Sequence, residues 1–242
     1  MGGGSVHAVT LLVAAADQPS CYNRTVNDWW CGAYLTDYRS ELVDATVQHL
    51  LITVSAIALG ILVAFPLALL ARRHVRLETG IVGVSTALYT VPSLALFPLL
   101  VPFTGISATT VVIGLALYAL TILVRSILDG LRSVPDDVRE SARGLGHGTA
   151  QQLMKIELPL ALPVMMAGLR VATVSTVALT TVGALVANGG LGNLIADGVL
   201  TNFKAELLAA CLLCVIIAVL LDVLIVVVQR LVTPWTRRRV SA

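Results

Sequence analysis

Long apolar runs with few charges constrain the fold of this chain more than any other feature. A helix needs roughly 20 residues to cross a hydrocarbon core of about 30 Å. Runs of that length cover residues 45–70, 163–187 and 205–231, and the stretch 79–124 is long enough for two more, divided by a turn at 102–107. Only 12% of the 242 residues are charged, against roughly 25% in an average soluble domain. The sequence therefore predicts an all-α membrane protein with five transmembrane helices, since no alternating pattern of a membrane barrel competes with these runs.

Lysine and arginine residues predict how these helices are oriented. They cluster after the first, third and fifth runs, at 72–76, 125–155 and 230–239. All three clusters fall on one side, which the positive-inside rule assigns to the cytoplasm. We therefore predict an N-terminus outside and a C-terminus inside. The formal net charge of +2 reflects this topology, so we expect no nucleic-acid partner.

The same pattern divides the chain into three predicted parts. Residues 1–44 form an extracytoplasmic N-terminal segment, residues 45–232 form the transmembrane domain, and residues 233–242 form a basic cytoplasmic tail. Within the domain, residues 130–162 form a cytoplasmic loop.

A polar island, ESARGLGHGTAQQLMKIELP, separates the third and fourth apolar runs. Ser133 with Asp136 three residues later predicts a capped start for one helix, and Thr149 with Gln152 predicts a capping box for a second. The second helix is expected to end before Pro159. Three glycines lie between the two helices: Gly144, Gly146 and Gly148. Two short helices on a glycine turn suit insertion into a cleft of a partner, because small residues leave one surface without bulk: Ser141, Ala142, Gly144 and Gly146. The alternative is a loop that merely connects two spans.

This island resembles the cytoplasmic signature loop of binding-protein-dependent ABC importer permeases. That loop has the pattern Glu-Ala-Ala, three residues, Gly, nine residues, Ile, any residue, Leu, Pro. The matching residues in this chain are Glu140, Ser141, Ala142, Gly146, Ile156, Leu158 and Pro159. Ser141 alone departs from the pattern, and it replaces one small residue with another. The resemblance implies a type I ABC importer permease architecture, in which a coupling helix from Glu140 to Gly146 sits in a groove of the ATPase subunit.

Longer stretches are similar to the permeases of osmoprotectant importers for glycine betaine, choline, carnitine and proline betaine. They lie within residues 47–192 and read YTVPSLALFPLLVPFTGI, ALYALTILVRSILDGL, LPLALPVMMAGLRVAT and ALVANGGLG. The resemblance implies the permease subunit of an ATP-driven importer for such compatible solutes, in the inner membrane of a bacterial cell. It also implies partners, namely two ATP-binding subunits, a second permease subunit that is identical or paralogous, and an extracytoplasmic solute-binding protein.

The sequence predicts that nucleotide is bound elsewhere in such an assembly. No G-x-x-x-x-G-K-[ST] phosphate loop occurs, so we expect no cofactor in this chain, with ATP and Mg on the partner ATPase. No nucleophile, metal cluster or pair of acids converges, so we expect neither an enzyme nor a metal site. Two alternatives stay open: an ABC importer permease for another small solute such as methionine, and a secondary carrier. A carrier commonly shows an inverted repeat, which is not detectable here.

Proline in the second run marks a candidate translocation pathway. Pro92 frees backbone carbonyls, and membrane proteins tolerate such backbone where it lines a cavity. Aromatic faces attract a quaternary ammonium and hydroxyls bind a carboxylate, so Tyr89, Ser93 and Tyr118 are candidate lining residues. A kink that only helps packing is an equally weighted alternative. Asn188 begins a predicted flexible outer turn, which either faces the binding protein, gates the pathway or is a short return loop.

Two ionisable residues lie inside predicted spans, Arg170 in the fourth and Asp222 in the fifth. At 1.5 Å per residue, both lie about 10–12 Å from the cytoplasmic end of their helix. Either charge alone is unfavourable in hydrocarbon, so we expect the two to pair. A structural pair is favoured over a proton relay, because no further ionisable groups continue from it.

The predicted extracytoplasmic segment carries cysteines and aromatic residues. Cys21 and Cys31 lie where oxidising conditions permit a disulfide, and a bridge and two free thiols are equally expected. Trp29, Trp30 and Tyr34 form either an aromatic cage for a cation or, as the favoured interpretation, part of an interfacial aromatic belt.

Overall fold

A computed structural model describes residues 20–23, 25–186 and 188–235. Its long helices are α2 (Arg39–Ala71), α5 (Ala108–Arg132), α8 (Leu158–Thr180) and α10 (Lys204–Val232). Shorter helices are α1 (Gly32–Asp37), α3 (Val75–Thr90), α4 (Ser93–Thr104), α6 (Asp136–Gly144), α7 (Thr149–Gln152) and α9 (Leu191–Leu200). Of the predicted N-terminal segment and basic tail, residues 1–19, 24 and 236–242 lie outside the described residues.

The second apolar run is broken rather than straight. Helices α3 and α4 meet at an angle of 102°, at Val91 and Pro92, which adopt extended backbone conformations. Proline has no N–H to donate and disfavours the helical conformation of the preceding residue. In the described chain, four unbroken helices are long and apolar enough to cross a membrane, or five if the bent pair is one span. The structure is thus all-α, with the predicted number of spans only when the bent pair is counted.

The second helix of the polar island does not end before Pro159, which corrects the prediction. Residues Thr149–Val186 form one continuous run that includes a π-helical turn at Leu153–Glu157 and a 3₁₀ turn at Thr181–Val186. In the π turn, Leu158 N–H donates to the carbonyl of Leu153. The wider turn ends where Pro159 begins, so the residue that cannot donate falls in the first turn of α8, where proline is tolerated.

Neither predicted capping box forms. The N-cap positions of α6 and α7 are Pro135 and Gly148, and neither helix has a side-chain cap bond. Ser133 instead ends α5, and its hydroxyl donates to the Gly130 carbonyl at 2.7 Å. Thr149 is already the first residue of α7, because the extended backbone of Gly148 takes the cap position one residue earlier.

The core depends on small residues that let helices approach closely. A Cβ added at Gly168 of α8 would lie 2.0 Å from the Cβ of Ser126 in α5. At Gly130 of α5 an added Cβ would lie 2.9 Å from the carbonyl oxygen of Ala161 in α8. Because lipid tails are as apolar as leucine, such close packing is a main source of helix association in membranes. The pair α5 and α8, with α2 against α5, therefore forms the centre of the bundle.

The segment after the 3₁₀ turn contains a helix where the sequence predicted a flexible turn. Helix α9 buries Leu191 and Leu194 against its neighbours. Gly190 precedes it with φ of +56° and packs directly on the backbone of His49 in α2. The imidazole of His49 is fully buried, and its nitrogens lie 3.3 Å and 3.1 Å from the carbonyl oxygens of Gly189 and Val177. Gly190 therefore permits close contact with α2, which local sequence does not reveal.

Candidate coupling site and translocation pathway

The polar island folds as helix α6, a short turn and helix α7. Two backbone bonds close α6, since Gly146 N–H donates to the Arg143 carbonyl at 2.9 Å and His147 N–H donates to the Ala142 carbonyl at 3.1 Å. This pair of bonds is the Schellman motif, in which the residue after the C-cap takes a left-handed conformation. Gly146 has φ of +83°. The turn itself therefore requires the glycine of the signature pattern.

The exposed surface of the island differs from the predicted surface at Ala142. Glu140, Ser141 and Gly144 are exposed, whereas Ala142 is only 2% exposed, because α6 packs that face against its own chain. Two large apolar side chains that the sequence analysis did not single out are exposed instead: Leu145 at 81% and Met154 at 63%. The rest of the signature, Ile156, Leu158 and Pro159, is partly buried within the continuous helix. The exposed part is therefore a polar helix followed by an apolar tip.

Glu157 ties the island to the membrane helices. Its side chain is buried, and Arg72 at the end of α2 donates to its Oε2 at 2.5 Å. Gln152 of α7 donates to Oε1 at 2.8 Å, and Arg139 Nε of α6 lies 3.8 Å from the same oxygen. One carboxylate, just before the N-terminus of α8, thus connects α2, α6 and α7. Sequence reasoning missed it, because the residues it joins are widely separated in the chain.

A row of polar side chains on α5 holds α3 in place. Thr121 Oγ1 donates to the Ser85 carbonyl at 2.5 Å, and Arg125 Nη2 donates to Thr86 Oγ1 at 2.8 Å. Tyr118 donates to the carbonyl of Val91, at the bend. The pathway hypothesis supposed that carbonyls freed by Pro92 are open to a solute, but the Val91 carbonyl is occupied by this phenol.

The structure brings together four of the five candidate pathway residues. Tyr89, Pro92 and Ser93 flank the bend, and the rings of Tyr89 and Tyr118 meet edge to face with centroids 5.8 Å apart. Tyr118 is only 5% exposed, whereas Tyr89 is 46% exposed. Asn188 lies after the 3₁₀ turn, where its amide donates to the Val186 carbonyl at 2.9 Å.

Arg170 and Asp222 meet between α8 and α10. Arg170 Nε donates to Oδ1 at 2.7 Å and Nη2 donates to Oδ2 at 2.8 Å. This two-bond geometry matches the planar guanidinium to the carboxylate and satisfies both groups. The side chains are 40% and 29% exposed, so the pair lies at the margin of the bundle rather than in its core.

A disulfide joins Cys21 and Cys31 and closes a loop at the end of the molecule opposite the polar island. Asn27 within this loop donates to the Asn202 carbonyl at 2.7 Å, and its Oδ1 accepts from Lys204 N–H at 3.0 Å. The loop is therefore docked on the junction between α9 and α10.

The three aromatic residues of the possible cage are not brought together. Trp29 and Trp30 are 53% and 72% exposed, whereas Tyr34 is buried. The tryptophans line an apolar groove beside α10, while Tyr34 lines a separate cavity with other tyrosines. Lys204 Nζ lies 5.9 Å from the centre of the Trp29 ring. The hypothesis that these three residues form a cage is therefore wrong, because Tyr34 points into the bundle and the tryptophans point outward.

Residues 56–238 match the family described as the binding-protein-dependent transport system inner membrane component. The chain belongs to this family. It is therefore a multi-pass permease subunit of an ABC importer, a transport protein rather than an enzyme, and such subunits work with an ATPase and a binding protein. Family membership also decides against a secondary carrier.

Curated relatives of this permease are named for the solutes that they transport. The chain is 35% identical over 206 residues to the osmoprotectant import permease protein OsmW of Salmonella typhimurium, covering 83% of this chain and 96% of the relative. It is 30% identical over 208 residues to the choline transport system permease protein OpuBB of Bacillus subtilis, covering 86% and 96%. It is 32% identical over 209 residues to the glycine betaine/carnitine/choline permease protein OpuCD of Bacillus subtilis, covering 86% and 91%.

Solved structures establish the fold of this permease independently. An inward-facing conformation of the MetNI methionine ABC transporter superposes with a TM-score of 0.75 at 21% identity, covering 81% of this chain and 98% of that chain. The crystal structure of an amino acid ABC transporter with histidines gives 0.63 at 16% identity, covering 81% and 96%. At these identities the likeness concerns the fold alone, which is that of type I ABC importer permeases.

Proposed function

We propose that this permease imports compatible solutes that carry a quaternary ammonium group, such as glycine betaine, choline, carnitine and proline betaine. The observation that carries the proposal is the set of relatives at 30% identity or more, which match nearly end to end and are named for osmoprotectant, choline or carnitine transport. The fold likeness to a methionine transporter, at 21% identity, carries no comparable weight for the substrate.

The translocation pathway passes the bend between α3 and α4. Tyr89, Pro92, Ser93 and Tyr118 line it, and Asn188 contributes at its outer end. The exposed ring of Tyr89, held edge to face by Tyr118, supports this proposal, because an aromatic face attracts a soft organic cation. The ring contact also restricts how Tyr89 can turn.

The exposed part of the island binds the ATPase, and its helix α6 is the coupling helix. The Schellman turn at Gly146 fixes the angle of α6, and the apolar tip at Leu145 supplies surface to bury in a groove. The Glu157 cluster supports a mechanical role, because a displacement of α6 acts on Arg139 and hence on α2 and α8. Packed, bistable contacts of this kind pass on small movements as discrete shifts.

The complete importer contains a second permease subunit, identical or paralogous, and two ATP-binding subunits that hold ATP and Mg. A single chain offers one coupling helix, and an ATPase that works as a closing dimer requires two. This chain needs no cofactor of its own in such an assembly.

The experiment that tests the proposal is ATP hydrolysis by this permease reconstituted with its ATPase and solute-binding partners. Glycine betaine, choline, carnitine and methionine are added one at a time. We expect stimulation by at least one quaternary ammonium solute and none by methionine. Stimulation by methionine alone would overturn the proposed substrate class and leave the family assignment intact.

A further inference from the structure

A cavity of about 750 Å³ lies at the end of the bundle opposite the polar island, beneath the disulfide-closed loop. Its volume falls in the ordinary range of small-molecule sites, roughly 300–1,000 Å³. The loop lies over it because Asn27 bonds to Asn202 and to Lys204 at the junction of α9 and α10. The walls come from this loop, α1, the start of α2, the end of α9 and the start of α10.

Four aromatic rings line this cavity. Tyr34 and Tyr38 stack with centroids 4.7 Å apart, and Tyr22 meets Tyr38 edge to face at 5.8 Å. Phe203 packs edge to face on Tyr34 at 5.2 Å. Ring faces attract cations most strongly where water is excluded, and rings that brace one another lose little freedom when a ligand binds.

Three carboxylates also line the cavity. Glu41, Asp197 and Glu206 line the cavity, and no described lining residue is basic. Glu206 is only 5% exposed, yet among the described residues its carboxylate makes no hydrogen bond or ion pair. A carboxylate in so buried a position is unfavourable without a partner, and a cation in the cavity would supply one. Burial raises the pKa of the Tyr34 hydroxyl, and the Glu206 and Glu41 carboxylates raise it further.

The arrangement of these groups selects among cations. In the described residues, no three His, Cys, Asp or Glu side chains converge closely enough to hold a metal ion. Hard metal ions also require a shell of oxygen ligands, whereas four of the ten lining residues are aromatic. An organic cation suits both kinds of lining group, because the carboxylates attract its charge and the rings contact its alkyl groups.

We propose that this cavity is a binding site for a small organic cation, of the quaternary ammonium class, that carries no carboxylate of its own. A zwitterion such as glycine betaine brings a negative group close to three acids, so it binds more weakly than choline or tetramethylammonium. The site lies apart from the bend between α3 and α4, and it does not depend on which solute the importer moves.

Equilibrium binding of radiolabelled choline to the full-length permease in lipid nanodiscs, without its partner subunits, tests the site. We expect saturable binding that tetramethylammonium displaces and that glycine betaine displaces at least tenfold less effectively. Glu206→Gln and Tyr38→Leu should each weaken choline binding by about tenfold or more, because they remove the charge and a ring face. Asp28→Asn is the matched control: it removes an exposed carboxylate of the same loop that does not line the cavity, and it should bind choline as the parent chain does.

Absence of saturable binding, equal displacement by glycine betaine, or unchanged binding in both Glu206→Gln and Tyr38→Leu would overturn the inference. Tyr38 is 37% exposed, so its variant remains informative if the buried Glu206 change prevents folding. Solute-stimulated ATP hydrolysis by the complete importer is measured in parallel. If solutes stimulate ATP hydrolysis normally but choline does not bind to the isolated chain, the cavity site is overturned and the proposed function stands. If choline binds but no quaternary ammonium solute stimulates hydrolysis, the proposed function is overturned and the cavity site stands.

Discussion

The local backbone conformation requires a glycine at position 146. Its φ of +83° lies in the left-handed region that other residues rarely adopt. We predict that Gly146→Ala lowers the free energy of unfolding by about 1–2 kcal/mol, the usual penalty for a side chain in this region. The same change should reduce the solute imported per ATP hydrolysed, because α6 loses its fixed angle. Thermal unfolding in detergent and coupling ratios in proteoliposomes measure the two effects.

Gly144→Ala is the matched control for Gly146→Ala. Gly144 lies within α6, and an added Cβ would meet nothing within 4 Å. Alanine favours a helix over glycine, so we expect stability to be unchanged or slightly higher. Equal losses in the two variants would contradict the role assigned to the left-handed turn.

Glu157 is a buried carboxylate that contacts Arg72 and Gln152, with Arg139 close by. We predict that Glu157→Gln lowers the free energy of unfolding by about 1.5–3 kcal/mol, since it removes charge-assisted bonds while keeping the volume. Transport should fall further than ATP hydrolysis, because α6 loses its connection to α2 and α8. Melting temperature and the ratio of the two activities are the measurements. Asp129→Asn, which changes an exposed acid of α5 outside the coupling helix, should leave both unchanged. An unaltered melting temperature in Glu157→Gln would refute the prediction.

At the scale of elements, the contact between α5 and α8 depends on the absence of a side chain at Gly168. A Cβ there would lie 2.0 Å from Ser126 Cβ, so the helices must separate. We predict that Gly168→Ala destabilises the fold by about 1–3 kcal/mol, as overpacking does. Unfolding of the purified permease in detergent measures the loss.

A second substitution at this contact tests whether a Cβ at position 168 collides directly with Ser126. Ser126→Gly combined with Gly168→Ala removes the atoms that collide, so the double variant should recover most of the lost stability. Gly83→Ala in α3 adds a methyl group where nothing lies within 4 Å, and it should be neutral. Purely additive losses in the double variant would argue against a direct contact.

Two prolines of the chain, Pro92 and Pro159, have different effects on the helical structure around them. Pro92 signals a break between α3 and α4, and the structure bends there by 102°. Pro159 carries the same chemical signal, yet the chain continues as a helix because a π turn precedes it. The residue type identifies where a helix is weak, whereas neighbouring turns and tertiary contacts decide whether it ends.

At the scale of the whole molecule, Leu145 is the most exposed large apolar side chain of the polar island. We predict that Leu145→Asp leaves the permease folded but weakens binding of the ATPase subunit by about tenfold or more, since burying a leucine contributes about 1.5–3 kcal/mol. Titration of the purified ATPase subunit against the permease in nanodiscs measures the affinity.

Val75→Asp is the control for this surface. Val75 begins α3 and is 79% exposed, close to the 81% of Leu145. It introduces the same charge outside the island, and we expect the ATPase to bind as before. If both variants bound the ATPase normally, the apolar tip would have no part in docking.

The sequence by itself determined the helical class, the apolar segments and the turn at Gly146. These features depend on local properties, namely the length of apolar runs and the conformation that a single residue permits. The resemblance to importer permeases rests on the same local spacing, and the family match confirms it. Side-chain exposure is different, since Ala142 was expected to face a partner and is instead buried by its own chain.

Only the tertiary structure decided which distant groups meet. Arg72 and Glu157 are 85 positions apart, and Asn27 and Asn202 are 175 positions apart, so no local pattern links them. The tyrosine and carboxylate cavity likewise combines the disulfide-closed loop with α1, α2, α9 and α10. Folding places aromatic rings and acids from separate segments around this one cavity. In the sequence alone, none of these residues indicates a binding site.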